Sequence, residues 1–170
     1  MDSHVLLIGG RDKLMSVTYL FEIDIVKRNE SDLSATDLIE SFIVAGWSLF
    51  SENNTIIFTG INDIDDYNYL SEHIDKNEYY DIVRKKQNKG EPIAFALFRS
   101  ENHHKYRIDI IIIPMFDNSR FEVAISPSDG TRKMLSVEQK ILDVNWYLMR
   151  VIPYLTSENM VVENFSYSQY

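Results

Sequence analysis

Between residues 92 and 127 the chain sets three strand-like segments in succession, "PIAFALFRS", "KYRIDIIIIP" and "RFEVAIS", separated only by "ENHH" and "MFDNS". Each segment is dense in β-branched and aromatic residues, the composition that suits a pleated, half-buried surface. Connections this short turn the chain back on itself, so neighbouring segments must run antiparallel. An antiparallel meander is therefore the feature around which the rest of the chain has to be arranged. If Ile108, Ile110 and Ile112 face a core, Arg107 and Asp109 lie on the opposite face, and Phe121, Val123 and Ile125 inside put Glu122 outside.

An earlier segment repeats the period. In "SVTYLFEIDIV" (16–26), Val17, Tyr19, Phe21, Ile23 and Ile25 point one way and Thr18, Glu22 and Asp24 the other, which predicts a strand with one buried face. Ser34 with Asp37 three residues on resembles a capping box opening "SATDLIESFIVAGW", whose stripe is Leu38, Ile39, Phe42 and Ile43 and whose stop is Gly46. "WSLFSENNTIIFTG" predicts a hairpin turning at Asn53-Asn54. Over 61–90, an acidic start, a basic end, Gly90 and the face Tyr67, Leu70, Ile74 and Ile82 predict a second helix, broken near Asn77. A third is expected from Ser136 along Val137, Ile141, Val144, Leu148, Val151 and Leu155, kinked or ended by Pro153. Residues 156–170 read as a tail in which "MVVENF" adds a short strand. The expectation is a single α+β domain over 1–170, a mostly antiparallel sheet with helices packed on one face.

The chain has 170 residues, a net charge of −9 and no cysteine. Without cysteine there are no disulfides and no thiolate metal sites. The negative balance argues against direct binding of nucleic acid, which needs clustered Lys and Arg. No apolar run approaches the roughly 20 residues of a membrane helix, and "VLLI" is too short for a signal-peptide core. The expected setting is the cytoplasm, with no membrane partner.

Chemical motifs are few. Glu22, Asp24 and Asp109 could hold magnesium for phosphoryl or nucleotidyl transfer. After Gly9-Gly10 this acidic set resembles a nucleotidyltransferase site in part, but "RDKLM" is too short for the intervening helix and the turn lacks its serine. A calcium loop starting at Asp63 would need Gly and Glu where Asn68 and Ile74 stand. His103-His104 is the only adjacent histidine pair, and neither it nor His4 and His73 has ligand spacing. No serine sits in a G-x-S-x-G setting. Catalytic residues, metal ligands and cofactors are accordingly not assigned, and the acidic set Glu22, Asp24, Asp109 and Glu122 reads as the polar face of a sheet, with Arg107 a partial counter-charge. Trp47, Trp146 and Tyr147 are expected in or beside the core.

One segment combines two features of a binding surface. "NDIDDYNYLSEHIDKNEYYD" (62–81) carries seven acids against one lysine and four of the ten tyrosines. Tyrosine offers rigid amphipathic area, and carboxylates steer a basic partner. The candidate partner-binding residues are Asp63, Asp65, Asp66, Tyr67, Tyr69, Glu72, Tyr79 and Tyr80; the competing reading is a solvated acidic helix with core tyrosines.

The layout of an acidic, cysteine-free chain with an antiparallel meander, a late helix "DVNWYLMRVIPYL" and the tail "MVVENF" resembles immunity proteins of bacterial polymorphic toxins, those of contact-dependent growth inhibition systems in particular. The likeness spans roughly residues 92–165. It implies a cytoplasmic protein, not an enzyme, that binds the C-terminal domain of one cognate toxin, often a basic nuclease, and covers its active or substrate-binding site. A metal-dependent transferase using Glu22, Asp24 and Asp109 and a non-catalytic adaptor domain are the alternatives.

Overall fold

The computed structural model describes residues 17–170; "VLLI", His4, Gly9-Gly10 and "RDKLM" lie outside the described residues. Alternation of apolar and polar side chains forms β1 (Tyr19–Lys27), with Tyr19, Phe21, Ile23 and Ile25 all buried. It is followed by α1 (Ala35–Val44), β2 (Ile56–Thr59), β3 (Tyr69–Glu72), α2 (Lys76–Asn88), β4 (Ile93–Glu101), β5 (His104–Met115) and β6 (Arg120–Pro127). A small ribbon, β7 (Met134–Ser136) with β8 (Ile141–Leu142), precedes α3 (Val144–Met149), a 3₁₀ turn (Ile152–Tyr154) and β9 (Met160–Gln169). The fold is α+β, and its sheet is antiparallel throughout with seven strands in the order β3-β2-β4-β5-β6-β1-β9.

Residues directly opposite in antiparallel strands share a face. The registers therefore line up Leu70, Phe58, Phe95, Ile110, Ile125, Phe21 and Tyr167 in one row across all seven strands. The helices cover this face. Tyr79 of α2 packs on Phe58 and Phe95, with ring centroids 5.2 and 6.3 Å apart, and Tyr147 of α3 packs on Phe21 at 5.8 Å. Leu38, Ile39 and Phe42 of α1 are fully buried in the same core. The meander is as expected, its tight turns made by Asn102-His103 and Phe116-Asp117-Asn118, all at positive φ. The Asn53-Asn54 hairpin also forms: Phe50 bridges Ile56 and Asn54 takes φ 57°.

Two helices are shorter than expected. The segment from 61 starts as a loop and the strand β3, and α2 begins only after Asp75. There Asp75 and Glu78 form a reciprocal capping box, at 2.9 Å to the Glu78 N–H and 3.0 Å from the Asp75 N–H. The segment from Ser136 is the β7–β8 ribbon, where Ser136 Oγ accepts from the Gln139 N–H to close a turn and Val137 is 79 % exposed. Helix α3 starts after Asp143, whose carboxylate accepts from Trp146 N–H at 3.0 Å. It ends at Met149, so Pro153 falls within the 3₁₀ turn. The expected tail is a full ten-residue strand paired with β1.

A charged clamp closes the end of the sheet where β4 turns into β5. Arg150 donates from Nε and Nη2 to both oxygens of Glu101, at 2.9 and 2.6 Å, and Arg99 Nε donates at 2.9 Å. Arg150 lies over Trp146, and the Trp47 indole donates to the Arg150 carbonyl at 3.1 Å. These guanidiniums hold the Glu101 carboxyl down at about 2, Arg150 contributing most. Among the described residues, no helix is long and apolar enough to cross a membrane.

Candidate functional site

The acidic segment between β2 and β3 is an ordered loop fastened from inside. Lys86, on the face of α2 that also buries Tyr79 and Val83, is 1 % exposed. Its ammonium donates to the carbonyls of Gly60 at 2.6 Å and Asp63 at 3.1 Å and to Thr59 Oγ1 at 3.4 Å. Glu91 lies 3.8 Å away and accepts the Asn62 N–H at 2.9 Å. Burial pushes the lysine's pKa down, opposed by Glu91 and Asp63. Above this anchor, the Asp63 carboxylate accepts the N–H groups of Tyr67 at 2.9 Å and Asn68 at 2.6 Å. Tyr67 can then take φ 49° without freeing the loop.

With Asp63 engaged in this turn, Ile64, Asp65 and Asp66 project into solvent at the tip. Glu72 is exposed on β3, and Tyr67 and Tyr69 are half-buried. Tyr69 stands opposite Thr59 on the face of the sheet away from the helices. Burial raises its pKa well above that of a free tyrosine, with the Asp109 charge adding to the effect and Arg107 opposing it. Partial burial, Asp63 and Asp65 likewise raise that of Tyr67. The two tyrosines therefore connect the acidic loop to the outer sheet face, where Arg107 donates from Nε and Nη2 to Asp109 Oδ1 at 3.0 and 2.8 Å. Asp109 is only 9 % exposed, and burial raises its pKa despite the arginine.

Six of the eight candidate residues thus lie along this one loop and strand. Tyr79 and Tyr80 do not join them: both are core residues, Tyr79 between Phe58 and Phe95 and Tyr80 with its hydroxyl donated to Glu40 Oε1 at 2.7 Å. For these two, the core-tyrosine reading is the one the burial supports. Lys86 and Glu91 had no place in the reading of the sequence, which gave "RKKQNKG" to the helix end. The available signal was the spacing of Lys86 from Tyr79 and Val83, seven and three residues, which puts it on their face.

The second carboxylate set is dispersed. Glu22 and Asp24 are on the outer face of β1, but Asp109 is two strands away, about 10 Å at normal strand spacing. Asp24 pairs with Arg120 at 2.8 Å, Glu22 accepts from Ser166 Oγ at 3.3 Å, and Asp109 faces Arg107. Among the described residues, no three His, Asp or Glu side chains are grouped to hold a metal ion. His103 and His104 sit at the β4–β5 turn. Compared with protein-family models, curated proteins and solved structures, the chain matches none.

Proposed function

We propose that this chain is an immunity protein, which binds a basic toxin domain in the cytoplasm and covers its active or substrate-binding site. The observation that carries this reading is the acidic loop pinned on Lys86. It presents Asp65 and Asp66 beside Ile64, Tyr67 and Tyr69 on a backbone held at the Gly60 and Asp63 carbonyls by Lys86 and at the Tyr67 and Asn68 N–H groups by the Asp63 carboxylate. A loop ordered before contact loses little conformational entropy on binding. Its carboxylates, on a chain of net charge −9, speed encounter with a positively charged surface of the kind that binds phosphates. A specific complex of this type buries roughly 1,200–2,000 Å² in all, with a few anchors dominating. Tyr67, Tyr69 and the exposed Ile64 are the anchors in this reading.

The test uses the C-terminal domain of the product of the gene immediately upstream, assayed for toxicity and mixed with the wild type and with the triple substitution Asp65→Lys, Asp66→Lys and Glu72→Lys. Association at low salt should slow by about tenfold or more, with the unfolding midpoint unchanged and protection of growing cells lost. Unchanged association would remove this surface from the interface.

A further inference from the structure

We infer that the protein forms a two-fold dimer in which the edge of β9 that faces away from β1, open among the described residues, pairs antiparallel with β9 of a second copy. Hydrogen bonds at the two ends of β9 fix which way its backbone points. Thr18 and Tyr170 exchange both N–H···O bonds, at 3.1 and 3.0 Å. The alternation of an antiparallel ladder then turns Ser168, Ser166 and Asn164 toward β1, and the N–H and C=O groups of Phe165, Tyr167 and Gln169 away from it. Past the irregularity at Asp24/Ile25, the Arg28 N–H bonds the Asn159 carbonyl at 2.9 Å, which turns Met160 and Val162 outward. Two outward groups are capped locally: the Met160 carbonyl by the Ser157 N–H, and the Phe165 N–H by Asn164 Oδ1. Among the described residues, β9 has a neighbouring strand on one side only.

Edges left open are normally blunted by lysine, proline or brevity. The opposite edge, β3, has four residues and carries Glu72. Strand β9 has ten, with no proline, glycine, lysine or arginine, and its single charge, Glu163, is paired with Arg120. On so acidic a chain, this neutral stripe offers nothing to steer a basic partner, and it raises no repulsion against an identical stripe. Antiparallel pairing about a two-fold axis is self-complementary. With Phe165 opposite the partner's Tyr167, both residues extend the aromatic row that starts at Phe21, at 6.2 and 5.2 Å. A stable interface needs roughly 1,200 Å² or more. Beyond the ladder, Tyr170, 72 % exposed, and Val137 and Ile141 of the adjoining ribbon supply apolar area; the Gln169 amide ties that ribbon to β9 through the Lys140 carbonyl. The acidic loop lies at the other edge of the sheet, so the dimer and the toxin complex stand or fall separately.

Sedimentation velocity of the full chain should give twice the monomer mass. Gln169→Pro deletes an outward N–H and no backbone bond to β1; compared with Gln169→Ala, which equally removes the amide contact to the Lys140 carbonyl, it should weaken the dimer at least tenfold with the same melting curve. In this cysteine-free chain, Ser166→Cys places the only thiols across the axis, at about 4.5 Å between Cα atoms, and mild oxidation should link the dimer. Ser71→Cys on the β3 edge should stay unlinked. A wild type that remains monomeric over the micromolar to millimolar range, a dimer indifferent to Gln169→Pro, or equal linking at both edges would overturn the proposal.

Discussion

A hydroxyl or charge wholly or partly withdrawn from water must find partners or cost stability, and three residues here, the buried Lys86 and Tyr79 and the half-buried Glu101, sort by that rule. Lys86 finds three oxygen acceptors and a carboxylate, and so becomes the anchor of the acidic loop. The Tyr79 hydroxyl is buried with no partner among the described residues. Tyr79→Phe should therefore be neutral or raise stability by up to about 1 kcal/mol, measured by urea unfolding, and a clear loss would show that the hydroxyl is satisfied in solution. Glu101 is the third. Its folded value of about 2 lies below its ordinary 4.5. The stabilisation it gives is thus complete above about pH 4.5 and is lost as the pH falls toward 2. Glu101→Gln should lower stability at neutral pH and flatten the acid limb of the stability curve; an acid limb of unchanged slope would contradict the clamp.

Helix starts were written more plainly than helix periods. The spacing of Tyr67, Leu70 and Ile74 imitates a helical face, yet the Asp63 turn and the pairing of β3 with β2 take those residues out of any helix. The stronger local signal was Asp75 with Glu78, a capping box that stops helix propagation toward the acidic loop. Asp75→Ala should cost about 1 kcal/mol while leaving the sheet intact, and denaturant unfolding with far-ultraviolet circular dichroism would check both. Ser136 misleads in the opposite way, since a serine that can cap a helix can also close a turn. The N-terminal end of α1 was legible from Ser34, and its C-terminal end from Gly46, which takes φ 99° against Arg99.

At the scale of the molecule, the segment that looked like a tail completes the core. Strand β9 covers the flank of β1, with Phe165 and Tyr167 on Phe21 and Met160 buried. Ending the chain at residue 155 would expose that flank and leave the ladder groups of β1 unpaired. Such a chain should lose cooperative unfolding and its near-ultraviolet circular dichroism; a truncated chain that melts sharply would show that β9 is dispensable.

The sequence by itself determined the meander, the buried face of β1, the hairpin at Asn54 and the acidic, tyrosine-bearing character of one segment, because period, turn residues and charge are local properties. Only the tertiary structure decided that β1 lies between β6 and β9, that Tyr79 and Tyr80 turn inward while Tyr69 stands on the outer face, and that Lys86 is the loop's anchor. Those outcomes rest on contacts between residues far apart in the chain. Strand order and the burial of a charge are chosen by which distant surfaces fit and which donors find acceptors, and no window of neighbouring residues contains that information.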